Sequence, residues 1–123
     1  MRGLDRALLA LAGLAGLLGV GLSAAAAHRD GGETLRTAAS FLLFHAPLVV
    51  GLVALSASGT IHAPAARLSA LAILIGLALF SGDLTMRVFL GAPLFAYAAP
   101  SGGFALMAGW LVTAVAAFLP RRG

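Results

Sequence analysis

Ala7 to Ala27 is a run with no charged side chain, and three further apolar stretches follow it at 37–57, 66–90 and 102–119. A bilayer hydrocarbon core about 30 Å thick takes about 20 apolar residues at ~1.5 Å rise, so each stretch can cross it. Hydrophobic residues make up 61% of the chain and charged ones 10%, against roughly 45–50% and ~25% in ordinary soluble domains. The sequence therefore predicts an all-α, polytopic membrane protein, a single membrane domain over residues 1–123 folded as a four-transmembrane-helix bundle. Four spans leave only short loops and no room for a separate soluble domain. Much of the apolar bulk is small, with seven Phe, one Trp and one Tyr among many Ala, Leu and Gly. That composition suits close helix packing, and no large internal cavity is expected.

The first stretch has a basic start, Arg2 and Arg6, and ends Ala25-Ala26-Ala27 before His28, a layout shared with signal peptides. Its apolar run exceeds the ~7–15 residues of a signal-peptide core, which favours an intact span. The second stretch carries His45 and Pro47, and the proline predicts a kink there because it removes one donor and crowds the carbonyl of Leu43. The third holds Asp83 and Arg87 inside its limits. Small residues recur at packing intervals: Ala12, Gly16 and Gly19; Ala72 and Gly76; Ala105, Gly109 and Thr113. An even number of spans puts both termini on one face, with Arg2, Arg6, Arg67, Arg121 and Arg122 there and Arg29, Arg36 and Arg87 on the other. That bias predicts cytoplasmic N and C termini. Arginines scattered over helix ends in this way serve topology and give no nucleic-acid surface.

Ionisable residues at membrane depth are costly and mark where function would sit. With the second span entering near Arg36 and the third leaving near Leu90, His45 and Asp83 fall at similar depth. Asp83 and Arg87, four apart, can pair on one helix face. The expected intramembrane polar network is therefore His45, Ser81, Asp83 and Arg87. Its simplest role is to neutralise charge and tie two helices, and its sharper one is a proton- or ligand-binding site, since a histidine beside a carboxylate can exchange protons. His28 and His62 lie at opposite ends of the spans, so no metal site is expected. With no cysteine, thiol chemistry is excluded. No Gly-Lys phosphate loop or nucleophile elbow is present, and no catalytic residue or cofactor is assigned. Gly102-Gly103 after Pro100 reads as a loop tip entering a helix.

Four blocks stand in order along the chain: Gly19-Val20-Gly21-Leu22-Ser23 to Ala27-His28, Phe44-His45-Ala46, Leu79-Phe80-Ser81-Gly82-Asp83-Leu84, and Pro100-Ser101-Gly102-Gly103 with Gly109-Trp110. Together they resemble domain-of-unknown-function family 423, small bacterial inner-membrane proteins similar to eukaryotic transmembrane protein 256. The resemblance implies four helices, an intact first span and a multi-pass place in the bacterial inner membrane. Its signature positions fall on His28, His45, Phe80, Ser81, Gly82, Pro100, Gly102, Gly103 and Trp110. The chain departs from that pattern at Asp83, Thr85 and Ala26, so a mechanism built on Asp83 would not transfer to the family. Short loops and a single charged layer favour a non-catalytic accessory subunit of a larger inner-membrane, even respiratory, complex, with the lipid bilayer and other integral membrane subunits as partners. A small proton-linked transporter or channel using His45 and Asp83 is the alternative, and a haem- or quinone-binding redox subunit the third.

Overall fold

In the structure, a computed structural model that describes residues 1–121, the chain forms four helices: α1 (Gly3–Ala26), α2 (Gly32–Ala57), α3 (Ala63–Phe89) and α4 (Ala98–Ala116). Each is long and apolar enough to cross a membrane, and the chain is a multi-pass membrane protein. Backbone groups have no water to bond in hydrocarbon, and helices satisfy them internally. At ~1.5 Å per residue α4 is about 29 Å long and just spans, whereas α3 is about 40 Å and must tilt or protrude.

The helix limits differ from those expected at several ends. α1 starts at Gly3 instead of residue 7, because Asp5 is neutralised by an arginine of α3 and need not stay outside. α2 starts at Gly32, five residues before Thr37, because Gly31 adopts a left-handed conformation (φ 81°) that turns the chain at once. α3 begins at Ala63, with Pro64 in the first turn where its missing N–H costs nothing. α4 begins at Ala98, so Pro100, Gly102 and Gly103 lie inside its first turns and not in a loop tip. It ends at Ala116, beyond which Phe118 and Leu119 make tight three-residue-back bonds. α2 runs without a break through Pro47. Arg122, counted above with the termini, lies outside the described residues.

The helices follow one another in space as in sequence: α1 packs on α2, α2 on α3 and α3 on α4, and α1 touches α3 only slightly. Two stripes on α3 explain the arrangement. Leu71, Ile75, Ala78 and Gly82 look toward α1, while Ser69, Ile73, Gly76 and Phe80 meet α4, about half a helical turn away. α1 and α4 consequently stand on opposite sides of the α2–α3 pair and do not meet. The result is an open bundle whose buried residues include Leu8, Leu35, Val49, Val53 and Ile73, with lipid-facing side chains such as Leu17, Phe104 and Leu111 outside.

The small residues set the helix spacing. A Cβ on Gly102 would lie 2.5 Å from the Phe80 amide nitrogen and 2.7 Å from the Gly76 carbonyl oxygen. One on Gly109 would meet Ile73 at 2.5 Å, and one on Gly19 would meet Leu43 at 2.7 Å. At Gly102 the obstruction is backbone, which cannot rotate aside. Gly102→Ala is expected to push α4 off α3 at a cost of about 1–3 kcal/mol. Gly13→Ala, where nothing lies within 4 Å, is neutral or slightly stabilising. Thermal unfolding in detergent, followed by circular dichroism, checks the pair; equal melting temperatures would refute the close-approach role.

Candidate functional site

α2 and α4 have no backbone contact, and side chains at mid-span bridge the gap between them. His45 lies thirteen residues into α2 and Trp110 twelve into α4, about 20 and 18 Å from the helix ends on the face opposite the termini. The Trp110 indole N–H donates to His45 Nε2 at 2.9 Å, and the rings meet edge-on with centroids 5.6 Å apart. Indole is a donor only, so Nε2 must be the acceptor and the ring proton sits on Nδ1. That nitrogen donates to the Phe41 carbonyl at 2.7 Å. Phe41 in turn stacks on the His45 ring at 5.7 Å and meets Phe80 of α3 at 4.3 Å. Phe80, Phe41, His45 and Trp110 thus form one aromatic strip through three helices. His45 is buried, while Trp110, 48% exposed, separates it from the lipid side.

This arrangement differs from the expected network. Because α2 starts earlier, His45 is deeper than Asp83, which is only six residues from the end of α3 and about 9 Å below it. His45 is bonded to Phe41 and Trp110, and the four residues do not form one layer. Asp83 is fully buried and accepts the Arg87 Nε–H at 3.0 Å and the Leu94 amide at 2.8 Å. The pair thereby fastens the connection between α3 and α4, with Arg87 about half exposed. Ser81 donates to the Ala38 carbonyl of α2 at 2.9 Å, about half a turn before Asp83 and so on another face. His45, Ser81 and Asp83–Arg87 are three separate ties: α2 to α4, α3 to α2, and α3 to its following loop.

A fourth tie had not been expected. Arg67 donates from Nε and Nη2 to the two oxygens of Asp5, at 2.9 and 3.1 Å. The carboxylate is buried and the guanidinium nearly so, pinning α1 to α3 near the termini. A bidentate fork of this kind is among the stronger charge-assisted contacts. Two opposite charges near the same face, two residues into α1 and four into α3, were its signal in the sequence. Ser69 adds a further clamp, donating to the Gly109 carbonyl at 2.6 Å with Thr113 Oγ1 at 2.7 Å.

Of the other signature positions, His28 is exposed just past α1, Pro100 is exposed and Gly102 buried in the first turns of α4, and Gly82 and Gly103 are half-buried. His62 donates from Nδ1 to the Pro120 carbonyl at 2.7 Å near the termini. The three histidines occupy three levels, and no group of three His, Asp or Glu side chains able to hold a metal ion occurs among the described residues. Every buried side-chain nitrogen or oxygen among those residues has a hydrogen-bond partner. His45 offers no free lone pair while Trp110 stays in place, so the site as built is a polar lock between helices.

A family model described as "Protein of unknown function (DUF423)" matches residues 19–103, which takes in the strip except for Trp110. No curated protein and no solved structure matches the chain.

Trp110 is the only tryptophan, so its fluorescence reports the lock directly. His45→Leu is expected to shift its emission, because the indole N–H loses its acceptor, and His28→Leu to leave it unchanged. An unaltered spectrum in His45→Leu, in protein that keeps its helical circular dichroism, would contradict the Trp110–His45 bond.

Proposed function

The chain belongs to the DUF423 family, and we propose that it is a non-catalytic integral membrane subunit of the bacterial cytoplasmic membrane that packs against the helices of a larger assembly. The observation that carries this reading is the internal pairing of every buried side-chain polar group among the described residues, combined with helices α1 and α4 that each keep a broad apolar face unpartnered. Polar side chains already spent on holding helices together are ill suited to turning over a substrate. Apolar faces on opposite sides of an open bundle suit lateral contact with other membrane helices. The alternative, a proton-linked carrier using His45 and Asp83, gains less support, because the two residues lie about 10 Å apart in depth and belong to separate ties.

The same reading places both termini in the cytoplasm. Arg2, Arg6, Arg67 and Arg121 fall on the side of the termini, against Arg29, Arg36 and Arg87 on the other, a modest basic bias toward the termini.

Extraction of the tagged protein in mild detergent, followed by mass spectrometry, is expected to bring down an integral membrane partner in fixed stoichiometry; a lone chain would sink the subunit reading. Alkaline phosphatase fused after Asp30 is expected to be active and after Thr60 inactive. The reverse pattern would invert the orientation.

A further inference from the structure

Between α1 and α3, over α2, runs an apolar slot of about 570 Å³. Leu11 and Leu22 of α1 mark its ends on one wall, Leu71 and Met86 of α3 mark them on the other, Ala78 lies midway and Leu42 of α2 is in the floor. Toward the termini it is closed, since Leu8 is fully buried and the Asp5–Arg67 fork draws α1 onto α3. Toward the opposite face it continues nearly to the helix ends.

Its lining and its mouth select the occupant. The walls run about 17 Å along α1 and 22 Å along α3 and are almost wholly apolar. The two hydroxyls among them, Ser81 and Thr85, are already bonded within the chain. Such walls offer a polar group nothing to bond and suit a hydrocarbon chain lying along the helices. The slot begins about 6 Å below the end of α1 and reaches past a half-membrane depth of about 15 Å, the reach of one leaflet.

The mouth supplies charge. One turn beyond Met86, the Arg29 guanidinium lies 4.3 Å from the centre of the Phe89 ring, which holds the cation between the ends of α1 and α3. The ion pairs among the described residues are Arg67–Asp5 and Arg87–Asp83. Arg29 therefore has no carboxylate partner, although Asp30 and Glu33 stand exposed at the same face. We infer that the slot binds one acyl chain of a diacyl phospholipid from the leaflet opposite the termini, with the lipid phosphate against Arg29. The inference does not depend on the chain having a protein partner.

The full-length protein, stripped of lipid in detergent, is to be offered palmitoyl-oleoyl phosphatidylglycerol or the diacylglycerol with the same chains, and bound lipid read by native mass spectrometry. A single retained phospholipid, favoured over the diacylglycerol, is the expected result. Ala78→Trp fills the slot from a side chain outside the packed core and should lower occupancy roughly tenfold or more, as should Ile75→Trp if the first variant does not fold. Phe104→Trp, on the lipid side of α4, should retain the lipid. Arg29→Gln should abolish the preference for phospholipid while keeping the chain bound. No retention by the wild type, equal retention in both slot-filling variants that keep their helical circular dichroism, or an undiminished phosphate preference in Arg29→Gln would overturn the proposal.

Discussion

Hydrocarbon offers a buried donor or acceptor nothing to bond, so each polar group this chain carries into the membrane must find its partner inside the chain. The helical backbone answers that demand for the main chain. For the side chains it is answered chiefly at five places, and those places are the joints of the fold. Asp5 and Arg67 join α1 to α3, Ser81 joins α3 to α2, His45 and Trp110 join α2 to α4, Ser69 with Thr113 joins α3 to α4, and Asp83 with Arg87 joins α3 to its following loop. Apolar packing does not distinguish one helix neighbour from another when the surrounding solvent is equally apolar. The polar ties and the close glycine contacts therefore specify which helix meets which.

The open layout follows from these joints. α3 is the hub, meeting α4 through Gly76, Gly102 and Gly109 on one stripe, and presenting Leu71, Ile75 and Ala78 on the opposite stripe. The polar tie between α1 and α3 lies near one end only, and the slot lies between them beyond it. The composition pointed to helices packed without a large internal cavity. The space that exists is lateral and open to lipid, because bulky leucines on α1, and not glycines, face α3 across it.

The four spans and the all-α class were legible because charge-free stretches of the right length admit little else. The Asp83–Arg87 pair was legible as well, since four-residue spacing puts both on one helix face. Legibility ended where a contact joins distant parts of the chain. Nothing local to His45 indicates Trp110, 65 residues away, and the expectation that it would meet Asp83 failed over a few residues of helix length. Gly31 decided that length, for its left-handed turn starts α2 early and carries His45 deeper. The small-residue intervals marked real close approaches at Gly19, Gly76 and Gly109. They did not show that Gly102, read as part of a loop tip, makes a close approach to the backbone of α3.

The Asp5–Arg67 fork also bears on the order of biogenesis. A chain made from its N-terminus presents Asp5 with the first span, and its counter-ion follows only after the α1–α2 hairpin has been synthesised. Until the start of α3 emerges, Asp5 has only its neighbours Arg2 and Arg6 at the membrane edge, and the bidentate fork is missing from the hairpin. α1 can pack on α2 as soon as that hairpin is made, and the polar tie to α3 closes only when the start of α3 arrives. A chain halted before Arg67 would hold its first helix by packing on α2 alone.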